Sequence, residues 1–134
     1  MDTYKDFYRN TKDRIFGYLI RLTGDYELSR DIMQECYVRY LERYRNGELS
    51  VSLLFTIARN RAMDAFRRQS RARQVNEEHM PGESFDCAEK AFLIREEYRL
   101  VIKAMMRLPP QERDLLSMVV TSGLSYKEIA GVTN

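Results

Sequence analysis

The clearest pattern in the chain is LLFTIARNRAMDAFRR, residues 53–68. Wound at 3.6 residues per turn, Leu54, Ile57, Ala58, Ala62, Ala65 and Phe66 fall on one broad side. Thr56, Asn60, Met63 and Arg67 form a line along the opposite side, at spacings of four, three and four. Arg59 and Arg61 flank that line and Arg68 follows it. Such a helix buries one side and offers guanidinium and amide groups to something negative. A helix with a merely solvated basic side shows the same pattern, so the neighbouring segments must separate the two readings.

The charge distribution separates them in part. Net charge is only +2 over 134 residues, yet 59–73 holds six arginines against the single acid Asp64. The stretch 77–97 then holds seven acids against Lys90 and Arg95. A basic segment followed by an acidic one predicts a polyanion-binding first part and a different second part. No apolar run approaches the roughly twenty residues of a membrane span. The start MDTYKDFYRN carries no apolar signal core, so a cytoplasmic protein without membrane insertion is expected. Cys36, Cys87 and the single His79 are too few and too scattered for a structural zinc site. No nucleophile–base pair or phosphate-cradling glycine loop stands out. The expectation is a protein that acts by binding, with no catalytic residue, cofactor or metal.

Upstream, 6–23 reads as a helix with Phe7, Tyr8, Ile15, Leu19, Ile20 and Leu22 on its apolar side. Gly24 suits its left-handed C-terminal closure, and Asp25 offers an oxygen to cap the next start. From Tyr26 to Tyr44 a second helix gathers Leu28, Ile32, Met33, Cys36, Tyr37, Tyr40 and Tyr44 on one face. Its other face shows Asp31, Gln34, Glu35, Val38 and Glu42. Solvation alone accounts for such a row, but Val38 among acids hints at a docking surface. RNGELSVS, residues 45–52, is a turn broken at Asn46-Gly47. The third helix runs to about Ser70 and completes a three-helix bundle.

Downstream, periodicity is lost and Pro81-Gly82 interrupts the acidic run. A flexible linker over 71–90 is expected. Helical spacing resumes over 91–108 with Phe92, Ile94, Leu100, Val101, Ala104 and Met105, and Pro109-Pro110 stops it. Pro110 suits the first turn of a further helix, through Leu115, Leu116, Met118 and Val119 to Gly123. Ser125-Tyr126-Lys127-Glu128 is a capping box, with Ile129 and Ala130 on the inner side of a last short helix. The fold expected is all-α: a domain over 1–70, a linker, and over 91–134 an incomplete helix-turn-helix domain that lacks its groove-entering second helix. Its apolar faces are therefore expected to be partly disordered, or covered by another chain or by the first domain. Tyr126 and Lys127 are expected to be surface residues.

The order of parts resembles a known family. LTGDYELSRDIMQECYVRYLERY (22–44) followed by LFTIARNRAMDAFRR (54–68) resembles the core-binding and promoter-melting domain of bacterial extracytoplasmic-function sigma factors. LPPQERDLLSMVVTSGLSYKEIAG (108–131) resembles the start of their second DNA-binding domain. The resemblance implies that the second helix docks on the β′ clamp helices of the RNA polymerase core through Asp31, Gln34, Glu35 and Val38. It implies that the third helix and the preceding loop read the minus-ten promoter element, with a non-template base turned out of the stack. The DNA-facing residues would be Arg45, Asn46, Gly47, Thr56, Arg59, Asn60, Arg61, Met63, Arg67 and Arg68. The arginines would mostly hold phosphates, and Asn60 is the best helical candidate for a polar base contact. An anti-sigma factor is implied as a further partner. Two departures are visible. Many relatives carry Trp where this chain has Leu53, and this chain has no Trp. Without a recognition helix, no reading of a minus-thirty-five element is expected. An alternative expectation follows: a truncated sigma that binds core polymerase or an anti-sigma without directing initiation.

Overall fold

The computed structural model describes residues 3–44, 49–73 and 96–134. Among them are six helices and no strand: α1 (Thr3–Thr23), α2 (Tyr26–Tyr44), α3 (Val51–Arg73), α4 (Glu96–Met105), α5 (Pro110–Thr121) and α6 (Tyr126–Thr133). The punctuation is where the sequence placed it. Gly24 takes φ +67°, and its N–H closes on Ile20 O at 2.8 Å. Asp25 Oδ1 accepts from the Leu28 N–H at 3.1 Å, capping α2. Gly123 takes φ +71°, and Ser125 and Glu128 form both halves of the capping box. The third helix begins two residues before the expected start, because Ser50 caps it: its Oγ accepts from the Leu53 N–H.

The bundle core is aromatic. Phe7 stacks on Tyr40 at 5.2 Å between centroids, and Tyr8 meets Tyr37 edge-on at 4.7 Å. The two buried hydroxyls of this group, Tyr37 and Tyr40, have partners. The Tyr37 hydroxyl shares a hydrogen with Thr11 Oγ1 at 2.5 Å, and the Tyr40 hydroxyl accepts from the Ser50 N–H at 2.7 Å. Burying such a ring contributes about 1.5–3 kcal/mol, and the satisfied hydroxyl avoids the desolvation cost of an unpaired group. Cys36 is fully buried against Leu54 O, and burial pushes its thiol up to about 12. It packs as a small apolar residue.

α1 is the central element. Its C-terminal half is buried around its circumference, from Ile15 through Tyr18, Leu19 and Ile20 to Leu22. One side faces α2 and α3; the other faces α4 and α5, while α6 lies against α3. The C-terminal helices thus pack on the first domain, which covers Ile102, Met105, Met118, Ile129 and Val132 but leaves Leu100, Val101, Leu115, Leu116, Val119 and Val120 exposed, so their apolar faces are covered only in part. The expected linker falls largely on residues outside those described.

One expectation about which side faces inward is corrected. Phe55, absent from the expected apolar side of α3, is fully buried, and its ring meets Tyr18 edge-on at 5.7 Å. On the wheel it lies between Ala62 and Phe66, inside the apolar side, and α1 covers it. In α5 the apolar residues Leu115, Leu116 and Val119 are exposed, and of the four that marked this helix in the sequence only Met118 is buried. The inward side carries Asp114, Ser117 and Ser122 instead. On α4, Ile102 and Met105 face in while Leu100 and Val101 face out. The reason is polar: the surface that α1 and α3 present to α5 is rich in hydrogen-bonding groups, and α5 turns matching groups toward it.

Candidate nucleic-acid interface

The solvent-facing side of α3 carries the line read from the sequence. Asn60 and Arg67 are exposed, Thr56 and Met63 are half-buried, and Arg68 is exposed beside them. Thr56 is tied down, its hydroxyl donating to Ser52 O at 2.8 Å. The Arg67 side chain is 73% exposed and only loosely held by Asp64 at 3.4 Å. A cation so exposed is free to exchange that partner for a phosphate, since a surface pair of this kind contributes at most about 1 kcal/mol.

The two flanking arginines are engaged. Arg61 reaches across to Glu35 on α2, which also meets Arg39 at 3.4 Å. The Arg61 hydrogen bond holds the Glu35 carboxyl below the usual carboxylate range. The contribution of the pair is present above that range and is lost as pH falls through the lowered value. Glu35 is partly solvated, so the contribution is small. Arg59 turns the other way, to Asp114 of α5, with Nε 2.7 Å from Oδ2. Among the expected DNA residues, Arg59 and Arg61 therefore spend their charge within the protein in this arrangement. Arg45, Asn46 and Gly47 lie outside the described residues.

Between α2 and α3 is a hollow of about 140 Å³ lined by Arg39, Arg43, Ile57, Asn60, Arg61 and Asp64. Arg39 and Arg61 already share the Glu35 carboxylate and Asp64 is a further acid in the lining, so the hollow offers hydrogen-bonding groups of both signs around the Asn60 amide. Arg39 and Arg43 were not singled out in the sequence. The available signal was their four-residue spacing on α2, which puts them on one face beside the polar row of α3.

The other row lies on α2. Asp31, Gln34 and Val38 are exposed, Val38 at 56%, and Glu35 is half-buried by its arginine partners. An acidic row on one helix and an arginine-bearing row on the next thus meet at the Glu35–Arg61 pair. Among the described residues, no group of three side chains is placed to hold a metal ion. No helix there is long and apolar enough to cross a membrane.

Comparison with known proteins agrees with this geometry. The sigma-70 region 2 family matches residues 7–72, covering α1 to α3, and the sigma-70 region 4 family matches residues 98–134. The chain is similar to the ECF RNA polymerase sigma factor SigM of Bacillus subtilis, 24% identical over 98% of this chain and 82% of the relative. It is similar to SigK of Mycobacterium tuberculosis, 25% identical over 95% of this chain and 72% of the relative. It also resembles the RNA polymerase sigma factor CarQ of Myxococcus xanthus, 26% identical over 98% and 76%. No solved structure matches significantly. With both sigma-70 regions present in order, and the helices of region 2 carrying the two rows described, the chain belongs to the extracytoplasmic-function sigma factors, which direct RNA polymerase to promoters.

Proposed function

We propose that region 2 grips two different things on adjacent surfaces. The α2 row of Asp31, Gln34, Glu35 and Val38 docks on the β′ clamp helices of core polymerase. The α3 line, with the loop over 45–52, receives the opened minus-ten element. The observation that supports this most directly is the divergence of the two exposed rows from one ion pair, Glu35–Arg61. Opposite chemistry on neighbouring helices lets one small unit hold enzyme and template together. Carboxylates around an apolar residue suit a partner surface rich in arginine, with binding energy concentrated in a few contacts.

On α3 the roles divide by residue type. Arg67 and Arg68 hold phosphates and set position and salt dependence; Asn60, next to the hollow, contacts a base edge. A base leaving the stack costs a few kcal/mol, which contacts in a pocket must supply. The hollow between α2 and α3 offers such contacts beside Asn60. The factor acts by binding, in the cytoplasm where the polymerase works, and an anti-sigma protein is its further partner.

The test compares two substitutions in complexes with core polymerase. Arg67→Ala weakens binding to promoter DNA about equally across sequences and reduces the salt slope by roughly 0.7–0.9 log units per lost phosphate contact. Asn60→Ala leaves the slope alone and relaxes preference at one base position. An unchanged slope for Arg67→Ala places that side chain away from the backbone and counts against the reading.

A further inference from the structure

Among the described residues of α1 to α3, three large apolar side chains are exposed: Tyr8 at 37%, Val38 at 56% and Leu41 at 39%. Single exposed apolar side chains are ordinary. These three are neighbours. The Tyr8 ring meets Tyr37 edge-on at 4.7 Å, and Tyr4 donates its hydroxyl to Tyr37 O at 3.2 Å. Tyr37 directly precedes Val38 and stands one turn before Leu41. The patch therefore crosses the seam between α1 and α2, over the buried Tyr37.

Its two edges carry opposite charge. Lys5, Tyr8 and Lys12, at spacings of three and four, share one side of α1, and Arg9 follows further round. The three cations are exposed, and none is paired with a carboxylate among the described residues. Asp6 and Asp13 fall on the side of α1 turned away from α2. On α2 the order outward from Tyr37 is Leu41, then Val38, then Asp31 and Glu42, all four exposed. An apolar centre inside a charged rim is how a protein interface is built. A nucleic-acid strand fits this surface poorly. The α3 line lies on the other flank of α2, so a strand held there would have to cross Asp31 and Glu42 to reach the lysines.

We infer that the docking surface for core polymerase extends from α2 across Tyr8 onto α1, where Lys5 and Lys12 meet acidic side chains of the same partner. The inference rests on α2 being the docking helix. The partner face that fits has a basic edge over Asp31, an apolar centre over Tyr8 and Val38, and an acidic edge over α1. A face turned the wrong way round brings like charges together at both edges, so the two rims fix the orientation of the complex.

The test measures association of the full chain with core polymerase at low and high salt. The paired substitution Lys5→Glu and Lys12→Glu is expected to slow association about tenfold at low salt, because rim charges act mainly on the encounter rate. The difference narrows at high salt as those charges are screened. Both side chains are exposed, so the helical circular dichroism stays unchanged. Lys5→Gln with Lys12→Gln gives a smaller loss in the same direction, and Tyr8→Ala speeds dissociation several-fold. Unchanged association by the lysine variants, with Asp31→Arg still defective, overturns the extension onto α1 and leaves α2 as the docking helix. Unchanged association by the lysine variants and Asp31→Arg alike overturns the α2 reading itself. Weaker binding of the Glu variant to random-sequence single-stranded DNA, with core association intact, assigns the α1 stripe to nucleic acid and also overturns the inference.

Discussion

Replacing Asp31 and Val38 together by arginine is expected to abolish retention of core RNA polymerase while leaving the helical circular dichroism unchanged. Both side chains are exposed, Val38 at 56%, so neither change disturbs packing. Glu35 is left in place because its carboxylate holds Arg61, and removing it would mix a docking effect with a structural one. A hot-spot position contributes about 2 kcal/mol or more, so two such losses amount to about 4 kcal/mol, near a thousandfold in Kd. Retained pull-down by a fully helical variant would move the docking surface off α2.

The second large effect is expected from Asp114→Ala. The substitution leaves the Tyr18 hydroxyl without its acceptor and the Arg59 guanidinium without its counter-charge. Removing one partner of a buried pair costs about 3–5 kcal/mol. The Arg59 side chain keeps 22% of its surface in solvent, so water recovers part of this, and the lower end is expected. Amide exchange then speeds up by about two orders of magnitude in α5 and α6, with α2 and the N-terminal half of α1 little changed. A uniform loss of protection over the chain would show that the halves unfold as one unit. No loss at all would show that Asp114 does not hold them together.

Much of this molecule was legible before its structure. Helix boundaries followed from Gly24, Asp25, Pro110, Gly123 and Ser125, because each acts locally through backbone conformation or capping. The exposed α2 row was legible because Asp31, Gln34 and Val38 lie off the apolar spacing of that helix. The inward face of α5 was not. Hydrophobic spacing predicts what a helix buries when its cover is apolar, and here the cover presents Tyr18, Arg59 and Arg14. Phe55 was legible though passed over: on the wheel it lies between Ala62 and Phe66, inside the apolar side of α3, and it packs on Tyr18 of α1. The engagement of Arg59 with a residue 55 positions away was equally out of reach, since nothing local in either stretch specifies the pairing.

The central claim is that α2 and α3 serve different partners. Hydrogen exchange on the full chain tests it, first with core polymerase and then with a single-stranded minus-ten oligonucleotide added to that complex. The account predicts that core polymerase slows exchange along the Asp31–Val38 side of α2, and that the oligonucleotide adds protection on α3 around Asn60 and Arg67. Protection by both partners on the same helix, or by the oligonucleotide on α4 to α6 alone, would contradict it.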